Sequence, residues 1–409
     1  MTEIANTPEL RFPNYENSWF SYKLNDISER VTRKNKNLES QRPLTISGQL
    51  GLIDQIEYFN KSVSSKNLTG YTLIKKGEFA YNKSYSNGYP LGAIKKLERY
   101  DLGILSSLYI CFSFDENIDK SFMKNYFEST KWYREVANIA VEGARNHGLL
   151  NIPVNDFFNI NINLPIQYEQ EKIGEFFSKL DRQIELEEQK LAKLEEQKKG
   201  YMQKIFSQTL RFKDEEDNVY PDWIRTKLIN IVTPLKGQDD NITNFPILTI
   251  SASRGWLNQK ERFSQVIAGN SLKKYTQVKK NDLSYNKGNS KVAKYGIVFR
   301  LKNEALVPNV YKSFRPNENI DSIFIEKYFH NKTLDKQLRT RITSTARTDG
   351  LLNISDQDFY DIKLYIPILQ EQTKIADFLN KLDKLIEKQS SKIILLKHRK
   401  KGLLQKMFV

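Results

Sequence analysis

One unit of about 200 residues occurs twice in this chain of 409 residues, and that duplication limits the possible architectures most. Thr45-Ile46-Ser47 recurs as Thr249-Ile250-Ser251. Tyr71 to Lys83 (YTLIKKGEFAYNK) recurs at an offset of 204 as Tyr275 to Lys287 (YTQVKKNDLSYNK), with seven of 13 positions identical. The offset then becomes 202, where Arg145 to Phe157 matches Arg347 to Phe359 at eight of 13 positions. Glu169 to Phe206 matches Glu371 to Phe408 without a gap at 18 of 38. A period this long means two copies of a whole domain rather than a stack of small repeats.

Each copy reads as a mixed globular part followed by a long helix. Alternating Leu108, Ile110, Phe112 and Phe114, and Ile160, Ile162 and Leu164 repeated as Ile362, Leu364 and Ile366, predict half-buried strands. Ser121 to Ile139 and Ile323 to Ile342 carry helical spacing. The fold class is therefore α+β, with globular parts at 1–165 and 208–367 and helices at 166–207 and 368–409. After Pro165 the apolar positions Ile173, Phe177, Leu180, Ile184, Leu191, Leu194, Tyr201 and Ile205 alternate in steps of four and three. Ile375, Leu379, Leu382, Ile386, Ile393, Leu396, Leu403 and Met407 do the same in the second copy. Two such coiled-coil seams in one chain should pair. Their polar interruptions, Glu187 and Lys198, then Gln389 and Lys400, are read as solvent-exposed, with a role in register or partner contact as the alternative. A helix of 38 residues is about 57 Å long and would act as a ruler between the globular parts.

The formal net charge of +15 favours a polyanionic partner, because each Lys or Arg on a phosphate releases counterions. Compositional drift toward Lys, Asn and Ile explains the same number equally well. The charge is uneven, at +2 over 1–165, −1 over 166–207, +8 over 208–367 and +6 over 368–409. The single cysteine, Cys111, excludes an internal disulfide framework and fits a reducing cytoplasm. No secretory pattern opens the sequence, and no apolar run nears the roughly 18 residues of a membrane span. A phosphate loop of the GxxxxGK[ST] type and an NPPY- or DPPF-like segment are both missing. His147, His330 and His398 lie far apart, and Asp239-Asp240 and Asp356 with Asp358 read as loop or cap carboxylates. The expectation is a chain without catalytic machinery, cofactor or metal.

Each unit ends in GLLNI, a strand closing on Pro165 or Pro367, and a helix opening Glu169-Gln170 or Glu371-Gln372. Ile173 and Ile375 follow, and the helices finish as Lys199-Gly200-Tyr201-Met202-Gln203-Lys204-Ile205-Phe206 and as Lys401 to Phe408. This combination resembles the specificity subunit of type I restriction-modification systems, over nearly the whole chain. The resemblance implies two target-recognition domains, each reading one half of a bipartite, asymmetric site on double-stranded DNA. It also implies antiparallel helices that set the spacer, two docked methyltransferase subunits, and endonuclease-translocase subunits that join for restriction. The alternative is a coiled-coil scaffold that organises partner proteins without reading DNA.

Base readout needs polar side chains that reach base edges, and readers of unlike half-sites should differ between the copies. Ser84 to Arg99 and Gly288 to Lys302 diverge. The candidates are Lys83, Tyr85, Asn87, Arg145, Asn146 and His147 in the first domain. In the second they are Arg254, Lys287, Asn289, Lys291, Lys294, Arg341 and Arg347. Repeated pairs carry less specificity: Asn82 and Asn286 suit turns, and Arg145 and Arg347 suit either phosphate contact or an internal ion pair.

Overall fold

A computed structural model describes residues 6–61, 63–86, 88–145, 149–237, 245–263, 273–288, 290, 292–343 and 352–409. The chain forms two compact units, Met1–Glu188 with Ser391–Val409 and Gln189–Ser390. These units do not follow the four consecutive segments of the sequence. Each takes part of both long helices, Gln167–Phe206 and Leu369–Lys406.

The first unit is built on a four-stranded antiparallel sheet in the order Ser28–Arg30, Ile110–Phe114, Phe79–Asn82, Ala93–Lys96. The second repeats it with Val232–Leu235, Lys312–Pro316, Leu283–Asn286 and Ile297–Arg300. Alternate side chains of a strand face one side, so Phe79, Tyr81, Phe112 and Phe114 enter the first core, and Leu283, Tyr285 and Phe314 the second. Leu108 stands outside its strand at 62% exposure, because the chain turns at Ser106 before Ile110 starts to pair. Gly92 and Gly296, at φ +80 and +81, leave room for the rings of Tyr81 and Tyr285; a Cβ would sit 2.9 and 2.5 Å from them.

The helical stretch in each unit is two helices rather than one: Lys120–Glu128 and Tyr133–Ile139, then Ser322–His330 and Asp335–Arg341. Packing accounts for the break. Trp132 is fully buried with Nε1 donating to Phe127 O at 3.0 Å, a position that a straight continuation does not reach, and Ser129 Oγ closes the first helix on Tyr126 O at 2.6 Å. In the second unit Leu334 is buried after Lys332, whose φ is +61.

The Glu-Gln opening of each long helix locks it to the globular part. Gln170 Nε2 donates to Pro165 O at 2.9 Å while its Oε1 accepts from Asp119 N at 3.1 Å. Gln372 makes the same two bonds, to Pro367 O at 2.8 Å and from Asp321 N at 2.9 Å. Glu169, fully buried, receives both Nε and Nη2 of Arg11 at 2.8 Å, and Glu371 receives Arg211 at 2.8 and 2.9 Å. Fork-to-fork geometry makes these the strong kind of ion pair, and burial makes their loss costly.

The far end of each long helix finishes the core that the other helix opens. In the first unit Phe408 lies 5.1 Å from Phe122, 6.0 Å from Tyr126 and 5.8 Å from Phe177. In the second, Phe206 lies 5.7 Å from Phe324 and 5.0 Å from Tyr328. Within each unit the helix segments run antiparallel, as Lys400 to Asp181 and Lys392 to Glu187, each at 2.5 Å, show in the first, and Lys198 to Asp383 at 2.5 Å with Tyr201 to Phe378 at 5.1 Å between ring centres show in the second.

Candidate nucleic-acid interface

Of the residues on the helix seam, Ile173, Phe177, Ile184, Ile375, Leu379 and Ile393 are buried, and Leu180, Leu191, Leu194, Leu382, Ile386 and Leu396 are half-buried. Tyr201 is instead 39% exposed while Met202 is 6%. The seam turns by one position where the helix end enters the globular core. The polar interruptions are not solvated either: Glu187, Lys198 and Lys400 are 15, 25 and 17% exposed with ionic partners across the helix pair, and Gln389 is buried. Lys198 to Asp383 and Lys400 to Asp181 are the same contact at an offset of 202, so they fix one register in both units.

The YNK and GLLNI motifs, about 70 residues apart, come together. Lys83 O accepts from Leu150 N at 2.9 Å and Lys287 O from Leu352 N at 2.8 Å. In the first unit Val141–Arg145 and Leu149–Asn151 form a hairpin, with Arg145 opposite Leu149, which brings the Arg145 backbone to the Lys83 loop. Asn82 Oδ1 accepts from Ser84 N at 3.1 Å and Asn286 Oδ1 from Gly288 N at 3.0 Å, the side-chain turns that hold both loops. Tyr85 projects from this loop at 64% exposure. Asn87, Asn146, His147, Asn289, Lys291 and Arg347, like Asp239 and Asp240, lie outside the described residues.

Two of the second unit's described candidates, Lys287 and Arg254, line separate clefts. Lys287 lines one with Lys236, Lys274, Lys312 and Asp356. Arg254 lines another with Trp256, Phe299, Arg300, Lys302, Glu304 and Glu326. Lys294 is exposed, its Nζ 5.8 Å from the centre of the Tyr295 ring. Arg341 ends the helix Asp335–Arg341 and donates to Gln337 O at 3.2 Å, so one of its groups is spent on that helix. Sequence reasoning missed Lys236, Lys274, Lys312, Arg300 and Lys302. Arg300 and Lys302 lie in the diverging segment Gly288 to Lys302, whereas Lys236, Lys274 and Lys312 had only the +8 charge of 208–367 to point to them.

Among the described residues no three His, Cys, Asp or Glu side chains cluster as metal ligands, and no helix is long and apolar enough to cross a membrane. Burial pushes the Cys111 thiol up to about 12, so it is no ready nucleophile. Lys312 and Lys236, both bonded to Asp356, hold its carboxyl down at about 2.

Known proteins share this arrangement. The type I restriction modification DNA specificity domain matches residues 3–196 and again 226–397. The type I restriction enzyme MjaVIII specificity subunit of Methanocaldococcus jannaschii is 26% identical over 304 residues, 69% of this chain and 65% of the relative, so the match spans just under two thirds of that protein. Among solved structures, the type I restriction-modification S subunit from M. genitalium superposes with a TM-score of 0.56 at 17% identity, covering 98% of this chain and 99% of that one. A chain from a structure on complex assembly and conformational transition of the type I restriction-modification system gives 0.54 at 15% identity, covering 95 and 97%. At such identities these two speak for the fold alone. The family match covers both copies of the duplicated unit, and on it the chain belongs to the type I restriction-modification DNA specificity family.

Proposed function

We propose that this chain is the non-catalytic DNA-reading subunit of a type I restriction-modification assembly, each unit taking one half of a split, asymmetric target. The observation that carries this is two units with one framework and unlike loops. The sheet order, the buried glutamates and the helix-end phenylalanines repeat, while Ser84 to Arg99 and Gly288 to Lys302 do not. Lys83, Tyr85 and Arg145 in one unit, and Arg254, Lys287, Lys294 and Arg341 in the other, are the candidates for contact with DNA that this reading retains. The two long helices set the spacer, roughly 5 to 8 unread base pairs if the half-sites are centred one to one and a half turns apart.

Two methyltransferase subunits supply the chemistry, and endonuclease-translocase subunits join them for restriction, in the cytoplasm. Support for two copies of one partner comes from apolar side chains left outside at equivalent places. Phe20 and Ile224 are 55 and 70% exposed, and Ile166 and Ile368 are 48 and 37%. The experiment is a genome-wide map of modified adenines with this gene intact and deleted. A split motif methylated only when the gene is present is expected. A map unchanged on deletion, in a host whose methyltransferase subunits work, would leave the scaffold as the reading.

A further inference from the structure

Among the described residues, three pairs of large apolar side chains stand exposed at equivalent places in the two units. Two of them, Phe20 with Ile224 and Ile166 with Ile368, lie where the last strand leads into the long helix: Phe20 pairs with Leu164 and Ile224 with Ile366, each two residues before the isoleucine. The third pair, Leu108 at 62% exposure and Val310 at 43%, lies elsewhere. Ile110 pairs with Tyr81 as Lys312 pairs with Tyr285, so Leu108 and Val310 precede matching strand positions by the same two residues.

Each is the third residue of a four-residue turn, closed by Tyr109 N on Ser106 O at 3.2 Å and by Tyr311 N on Pro308 O at 3.0 Å. Turns favour Gly, Pro, Asn, Asp and Ser, and an exposed aliphatic side chain there adds little to the core. The two residues before it change, from Ser106-Ser107 to Pro308-Asn309, yet the aliphatic character stays. The tyrosine after it braces the turn from beneath. Tyr311 is buried with Oη 2.9 Å from Thr249 Oγ1, and Tyr109 Oη lies 3.4 Å from Thr45 Oγ1.

Continued by two residues, the strand register brings Leu108 level with Lys83 and Val310 level with Lys287, and Val310 and Lys287 do line one cleft. These are the YNK loops, which run on into the diverging segments. Basic side chains accompany both turns but are largely answered, Arg33 by Glu78 and Lys236 and Lys312 by Asp356. What the two units have in common here, beyond the YNK lysine, is an aliphatic side chain with nothing of the core over it.

We infer that Leu108 and Val310 pack against deoxyribose in the two half-sites, one apolar contact per unit that positions the DNA without selecting bases. The sugar is the apolar part of the DNA backbone, and contacts to the backbone set register and orientation rather than sequence. A side chain of one kind at the same place in both readers suits a feature that every half-site has. This rests on the proposed DNA-reading function.

The test is target binding, at several salt concentrations, by the chain assembled with its methyltransferase subunits. Leu108→Ala and Val310→Ala should each weaken binding roughly fivefold, and together about 25-fold, since the two sites lie in separate units and remove one to two buried methylenes each. The slope of log K against log salt should not move, because an apolar contact releases no counterion. Denaturant unfolding, assembly with the methyltransferase subunits and the methylated motif should all match the parent. Unchanged affinity in the double variant, with normal binding by the parent assembly, overturns the sugar contact alone. So does a lower slope, which would make the loss ionic, or a changed motif, which would make the pair base-selecting. Failure of the double variant to assemble without DNA would assign the pair to protein docking and overturn the DNA contact. Absence of target binding by the parent assembly overturns both the contact and the DNA-reading function.

Discussion

In the first unit Lys95 and Glu128 meet as an ion pair at 2.5 Å, with Lys95 Nζ also donating to Tyr89 Oη at 3.2 Å. In the second the same two positions hold Phe299 and His330, whose rings meet edge-on at 5.0 Å. Register leaves no doubt of the equivalence, since Lys95 pairs with Ala80 as Phe299 pairs with Ser284. A charged pair and an aromatic pair thus close the same gap between a strand and a helix end. Such replacement is possible because the backbone on either side is held by other contacts: the buried glutamate, the helix-end phenylalanine and the tyrosine over glycine. Those are the places where the two units repeat each other. Where they differ, the side chains are free to specialise.

The sharpest way to break the likeness is to remove a buried carboxylate. Glu169→Ala leaves the Arg11 guanidinium uncompensated at 13% exposure, and a buried pair broken from one side costs about 3–5 kcal/mol. Glu371→Ala should cost more still, because Trp223 Nε1 also donates to Glu371 at 3.0 Å, whereas Trp19 Nε1 is buried with no hydrogen-bond partner among the described residues. Denaturant unfolding of the full chain, followed by hydrogen exchange to see which unit opens, measures both. Equal losses would show that the indole bond adds nothing.

Next in size are the helix ends. Phe206→Ala should cost about 3 kcal/mol, the lower part of the range for a buried Phe, because a helix end can settle into the space. The loss should appear in hydrogen exchange of the second unit, although Phe206 closes the helix that follows the first globular part. Phe408→Ala should weaken the first unit in the same crossed way. If each variant instead loosened the globular part that precedes it in the chain, the crossed packing would be wrong.

These crossed contacts mark the limit of what the sequence discloses. The seam from Ile173 to Leu194 was legible because helical periodicity is local. So was the Glu-Gln motif as a pattern, but its role was not, since Arg11 lies 158 positions from Glu169 and only the fold joins them. Tyr201 misled because the seam turns where the helix leaves its partner for a globular core. Glu187, Lys198 and Lys400 misled because a polar residue on a seam reads as solvated until its partner on the other helix is known. The lysine cleft was invisible for the same reason. Its members are spread from Lys236 to Lys312 and meet only through strand register.

A smaller effect separates the units by pH. Burial holds the His330 imidazole below its usual value, with Nε2 2.7 Å from Val298 O and Phe299 against the ring. Its folded-state value is therefore lower than the roughly 6.5 of an unfolded histidine, so the neutral ring favours folding. That contribution is complete above pH 6.5 and is lost as pH falls below it, when the unfolded chain binds the proton and the fold resists it. Position 128 of the first unit holds no imidazole. Hydrogen exchange at pH 7.5 and 5.5 should show the second unit losing more protection than the first. His330→Phe should remove the difference; a difference that survives it would belong to other groups.

The smallest expected effect concerns continuity of the chain. Leu210 N donates to Lys204 O at 3.0 Å across the turn Ser207 to Thr209, and Leu10 N donates to Lys406 O at 2.9 Å in the same geometry. The second unit thus makes in one stretch the joint that the first makes from stretches almost 400 residues apart. Lys406 reinforces the discontinuous joint through Glu9 at 2.6 Å, an exposed pair worth little. If the joint is held by packing of Phe206 and Phe408 rather than by the covalent turn, opening the chain between Ser207 and Gln208 while linking Val409 to residue 6 through a short flexible segment moves the break from one unit to the other. Loop closure changes slowly with length, so global stability should shift by about 1 kcal/mol or less, and the methylated motif should stay the same. A permuted chain that fails to fold, beside a parent that does, would mean that the turn at Ser207 directs the second unit in a way that its twin does not need.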